Sequence, residues 1–204
     1  MNIISRDFTG AIQLSLKIKR ENFGISTTKF INVNPAFIEA VEKDAKVPIN
    51  VNYDFQVTDL SVAFWGENRW VILIPEVFNY CHARFALCKE LCHILTDDST
   101  TRAKDPTSQI LQALKLNRVI QEPDSKTLEP LLDLQPWDSE TYCFFLALEI
   151  MIPDSRREEM LRLYNLGTPT LDIAHQIKMP ETLVAFYFQS RYYSYRQQVL
   201  DSLK

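Results

Sequence analysis

The sequence predicts an α+β chain: a small mixed or antiparallel sheet early, helices late, and one apolar core between them. Three observations carry this. Two β-rich runs, Leu60 to Trp65 and Trp70 to Ile74, flank Gly66-Glu67-Asn68-Arg69, the pattern of a hairpin with a short turn. After residue 79 the apolar spacing changes to a helical period, punctuated by caps and prolines. Finally, 46% of the 204 residues are hydrophobic and 24% charged, enough apolar side chains for one sizeable core.

The elements follow in order. Ile12, Leu14, Leu16 and Ile18 alternate with Gln13, Ser15, Lys17 and Lys19, a period of two that predicts a half-buried strand. Pro35 to Lys46 reads as a short amphipathic helix with proline in its first turn. Val47 to Tyr53 reads as another strand, and the hairpin comes next. Asn79 caps a long helix ending near Thr96. A polar, turn-like stretch follows, then a helix over Ser108 to Ile120 and a proline-bearing surface excursion over Gln121 to Pro136. Asp138 or Ser139 caps a helix that runs to Ile152 and stops at Pro153. Ser155 and Glu158 make a capping box for the next helix, which ends near Asn165 and Gly167. Two further helices fit residues 169–177 and 180–201.

Composition narrows the function classes. Net charge is -4, whereas a chain devoted to nucleic acid is usually basic. The four glycines are isolated, so no GxGxxG or Walker loop exists. No run of about 18 apolar residues suits a membrane span, and the first residues lack a cleavage-site pattern. The cysteines are Cys81, Cys88, Cys92 and Cys143; the first three share one helix face, which suits core packing better than a disulfide. A cytoplasmic protein with reduced thiols is the expectation.

The chemistry concentrates in Lys89-Glu90-Leu91-Cys92-His93, which reads K-E-x-x-H. In the metallopeptidase motif H-E-x-x-H, two histidines one turn apart share a zinc ion and the glutamate serves as general base. Here Glu90 and His93 keep their places and Lys89 takes the first ligand's. Alone, such a stretch is weak, since E-x-x-H arises often by chance.

Two longer stretches resemble one family. The run from Arg84 to Leu95, RFALCKELCHIL, resembles the R-x-F-T-L-A-H-E-L-G-H-L-L signature of the ImmA/IrrE zinc metallopeptidases. The run from Glu140 to Pro153 resembles that family's E-x-x-A-N-x-F-A-x-E-L-L-M-P without a gap. The segment Leu171 to Pro180 and the helix after it resemble a later family segment. The resemblance covers about residues 47–190. It implies a zincin-like fold, Glu90 as catalytic base, and His93 and Glu140 as metal ligands if a metal is bound. Glu149 lies about half a turn round the helix from Glu140, so both do not reach one ion. The resemblance also implies a bacterial or phage origin and a regulatory partner, such as a repressor of a mobile element or stress response. The departures are Lys89, Cys92 for glycine, Cys143 and Phe144 for Ala-Asn, and a long interval from His93 to Glu140.

Lysine changes the site. It ligates zinc only as a neutral amine, and deprotonating it at pH 7 costs roughly 4–5 kcal/mol. One lost ligand forfeits on the order of 3 kcal/mol of a zinc site's binding energy. Left charged, Lys89 puts a cation where the dication belongs. The expectation is no cofactor, with Lys89 as a metal-replacing charge paired with Glu140 and Glu90; zinc is the cofactor if the site is active. Cys81, Cys88 and Cys92 are expected in the core. His82 lies about 16 Å along the helix from His93, and His175 is a surface or packing residue.

Three functions remain open. The first is a degenerate peptidase that binds a regulatory protein in its old cleft, with the sheet edge near residues 60–74 suited to strand addition. The second is an active zinc peptidase with an altered ligand set. The third is a helix-turn-helix regulator over residues 170–191, disfavoured because the second helix begins acidic and apolar, with its positive charge late at Arg191 and Arg196. No membrane partner is expected. The organisation expected is a packing extension over 1–46, a metallopeptidase-like domain over 47–165 and a helical region over 166–204.

Overall fold

The computed structural model describes residues 5–23, 33–56, 60–97, 137–152, 154–188 and 190–203. The architecture is α+β: a three-stranded mixed sheet and eight α-helices among the described residues. No described helix is long and apolar enough to cross a membrane.

The first element corrects the sequence reading. Residues Phe8–Asn22 form helix α1, not a strand. The alternation of Ile12, Leu14, Leu16 and Ile18 spans less than two helical turns. Over the wider window, Phe8, Ala11, Ile12, Ser15 and Ile18 make a buried face at helical spacing, opposite exposed Gln13, Lys17 and Arg20. The carboxylate of Asp7 accepts the Gly10 N–H at 2.7 Å and caps the first turn. Helix α2, Val33–Ala45, carries Pro35 in its first turn and stops where Lys46 turns left-handed (φ 57°).

The strands are β1 (Ile49–Phe55), β2 (Val62–Gly66) and β3 (Arg69–Pro75), in the order β1-β3-β2. The hairpin pairs Gly66 with Arg69, and both turn residues, Glu67 and Asn68, have positive φ. Such a two-residue turn matches the strands' own twist. β1 joins β3 in parallel. β3 is therefore flanked on both sides, and strand addition over residues 60–74 is open only to β2. Ile72 and Ile74 turn one face of β3 into the core.

Helix α3, Tyr80–Thr96, starts at Asn79, whose Oδ1 accepts the His82 N–H at 3.0 Å. Helix α4, Ser139–Met151, starts at Asp138, which accepts the Thr141 N–H at 2.7 Å. Almost every residue of α4 is buried, which is what a helix that is apolar all round requires. It lies between α1 and α3. The expected helix over 108–120 and excursion over 121–136 fall outside the described residues.

After α4 the chain makes a 3-10 turn, Asp154–Arg156, then α5, Arg157–Asn165. The cap is not at Ser155 as expected: α5 begins at Arg156, which makes no side-chain cap. Asp154 instead accepts hydrogen bonds from Lys19, Arg157 and Arg196. Gly167 (φ 80°) turns the chain into α6, Thr170–Ile177, and Lys178 (φ 55°) turns it into α7, Glu181–Tyr187. The single helix expected over 180–201 is two, α7 and α8 (Ser190–Ser202). Phe186, Tyr187, Phe188 and Tyr192 are all buried, more than one straight helical stripe can hide.

One core cluster draws on all three expected segments. Its centre is aromatic: Phe145 stacks on Trp137 at 4.6 Å, and Phe8 meets Tyr192 edge-on at 5.2 Å.

Candidate functional site

The site lies where α3 crosses α4. Lys89, Glu90 and His93 come from α3, and Glu140 from the first turn of α4. Spacing alone places Lys89 and His93 on one helix face, because four residues make about one turn. The cap at Asp138 places Glu140 at the start of its helix.

The structure brings all four together. Lys89 Nζ donates to Glu140 Oε2 at 2.7 Å and lies 3.1 Å from Glu90 Oε1. His93 Nε2 lies 3.3 Å from Glu140 Oε1, without the alignment of a hydrogen bond. Ser61, just before β2, donates to Glu90 Oε1 at 2.7 Å and links the edge strand to the cluster. Lys89 and Glu140 are each about 15% exposed in their side chains (15% and 14%), and Glu90 only 4%.

Burial opposes every one of these charges, yet the pairs prevail. Burial alone would lower the Lys89 pKa, but the carboxylates of Glu90 and Glu140 outweigh it and hold the ammonium well above its ordinary range. Burial would raise Glu140, but Lys89 and His93 hold it far below the usual carboxylate range. For His93, contacts with Cys143, Asp97 and Glu140 overcome burial and raise the imidazole well above 6.5.

Three site residues were not visible in the motif. Asp97 Oδ2 lies 2.7 Å from His93 Nδ1. Ser139 Oγ lies 3.0 Å from the same nitrogen and donates to Asp97 at 2.6 Å. Arg6 reaches in from the N-terminus to the Asp97 Oδ1 (3.1 Å) and the Thr96 carbonyl (2.5 Å). The Arg6 carbonyl also accepts the Trp137 N–H at 2.8 Å. One residue thus joins the end of α3 to the approach to α4. Asp97 had a sequence signal, a carboxylate one turn beyond His93; Arg6 had none.

Zinc does not fit the position that the motif implies. The Lys89 ammonium already satisfies both carboxylates, and a dication there would face it within a few ångströms. Elsewhere, His93, Asp97 and Cys143 each offer one ligand atom, and these lie within 4.8 Å of one another.

The other candidates fall apart. Glu149 is remote from Glu140 and fully buried, bound to Arg157 (3.1 Å), Arg196 (2.9 Å) and the Tyr192 hydroxyl (3.0 Å). Cys88 and Cys92 are buried free thiols, while Cys81 is half-buried, a partial correction to its core placement. His82 and His175 are exposed. In the α6–α7 pair, Leu183, Val184, Phe186 and Tyr187 pack inward and Glu181 and Thr182 are exposed, which gives α7 no basic reading face.

Comparison of the chain with known protein families, curated proteins and solved structures finds no match.

Proposed function

We propose that this chain is a degenerate metallopeptidase of the ImmA/IrrE kind that no longer hydrolyses and instead binds a regulatory protein, such as a repressor. The observation that supports it is Lys89 Nζ seated 2.7 Å from Glu140 and 3.1 Å from Glu90. An ammonium between the would-be ligand and the would-be base leaves Glu90 a pairing partner, not a free proton acceptor for water. The scaffold for holding an extended segment remains. β2 is an edge strand whose start is tied to Glu90 through Ser61, and Phe64 and Trp65 on it are exposed. An extended peptide of the partner adds beside β2 through backbone hydrogen bonds, with side-chain contacts setting specificity.

The test exchanges the charge. Lys89→His takes up one zinc per chain more than the wild type, and that added zinc is lost when Glu140→Gln is introduced. The wild type leaves denatured casein intact with zinc present. Wild-type cleavage of casein that stops in Glu90→Gln overturns the reading.

A further inference from the structure

The cluster on the other nitrogen of His93 is unused by the reading above. Asp97 Oδ2 faces Nδ1 at 2.7 Å, and Cys143 Sγ belongs to the same group of donors within 4.8 Å. We infer that His93, Asp97 and Cys143 form a structural site for one zinc-class divalent ion, pinning the end of α3 to the start of α4.

The donor set suits such an ion. Imidazole, carboxylate and thiolate are the ligands zinc takes, and soft sulfur disfavours magnesium or calcium. Oxygens for a fourth place stand at hand: Ser139 Oγ lies 3.0 Å from Nδ1, and Thr96 Oγ1 lies 3.4 Å from Cys143 Sγ. The surroundings are divided as a metal centre needs. Arg6 engages Oδ1 of Asp97, while Oδ2 accepts from Ser139 Oγ at 2.6 Å, a bond that the ion replaces. A metal shared with Asp97 takes Nδ1, so the ring proton resides on Nε2 and faces Glu140, 3.3 Å away. A carboxylate behind a ligating imidazole is the usual outer partner. This gives a role to the Nε2 atom, which is buried without an aligned hydrogen-bond partner although His93 is only 7% exposed. Binding displaces two protons, one from the Cys143 thiol and one from Nδ1 of the His93 imidazolium, and both leave to solvent.

The site differs from the zinc position tested by Lys89→His, and it stands or falls separately. The experiment uses the full chain stripped of metal, titrated with cobalt and then zinc. One ion binds per chain, with a thiolate-to-cobalt charge-transfer band that zinc displaces. Cys143→Ser removes the band and weakens binding by more than about 100-fold, the upper range for loss of an outer-shell partner. Lys89→Met keeps the band. Cobalt uptake without a thiolate band, a band that survives Cys143→Ser, or no uptake overturns the site. Should Cys143→Ser fail to fold, X-ray absorption on the zinc-loaded wild type decides: one sulfur per zinc supports the site, and none or several refute it.

Discussion

Lys89 is stable as a charge only because two carboxylates surround it. Removing it in Lys89→Met leaves Glu90 buried without its cation and Glu140 with only the His93 imidazole, 3.3 Å away, of the two positive groups that hold it ionised. Losing one partner of a buried pair costs about 3–5 kcal/mol, and the residual exposure here brings that to about 2–3 kcal/mol. Pairing the change with Glu140→Gln removes the stranded charge, so the double variant recovers much of the loss. Urea unfolding of the two single variants and the double variant gives the coupling energy. Additive losses would show that the pair does not interact. Asp97 belongs to the same scale. Its carboxyl is kept ionised, against burial, by the bonds from His93, Ser139 and Arg6.

At the scale of elements, the helices after α4 are held by a second charge cluster. Glu149 on α4 binds Arg157 of α5 and Arg196 and Tyr192 of α8, all nearly or fully buried. Glu149→Leu removes the fully buried one of the two carboxylates that Arg157 and Arg196 share and leaves them Asp154, with an expected loss of about 3 kcal/mol in chemical denaturation. A loss under about 1 kcal/mol would mean that packing alone docks α8. Lys19 ties α1 to this cluster through Asp154 (3.0 Å) and the Ile152 carbonyl (3.2 Å). Burial and the nearby Arg157 outweigh those partners and lower its pKa from 10.5 to about 8. The sign follows. Between pH 8 and 10.5 the unfolded chain holds the proton and the folded chain has lost it, so rising pH adds stability. Below about pH 8 both states are charged and the contribution is flat. At roughly 1.4 kcal/mol per pKa unit, the gain is up to about 3 kcal/mol. Wild-type stability minus that of Lys19→Met, followed across this window, rises with pH; a flat difference refutes the assignment.

At the scale of the whole molecule, α1 is structural rather than appended. Phe8 meets Trp137, Phe145, Tyr192 and Tyr195, residues drawn from α4, its approach and α8. Phe8→Ala therefore costs about 3–5 kcal/mol, as core aromatic truncations do. A chain lacking residues 1–22 exposes the same aromatic surface and loses its cooperative thermal transition in calorimetry; a sharp, unshifted transition would show that α1 is dispensable. By itself, the sequence determined the α+β class, the hairpin, the cap at Asn79, a second cap at Asp138 or Ser139, and the helical spacing that puts Lys89 and His93 on one face. These are local matters, governed by turn chemistry and by the period of apolar residues within a few turns. Local rules failed where two periods fit a short run, as at Ile12–Ile18, and at the start of α5, which begins at Arg156 and not at the Ser155 cap expected. They also failed where a helix had to break to bury more rings than one face holds, after Tyr187. Only the tertiary structure decided which charges meet. It set Lys89 against Glu140 across fifty-one positions and Arg6 against Asp97 across ninety-one, because burying α4 between α1 and α3 brings those side chains together out of water. No pattern along the chain encodes a distance of that kind.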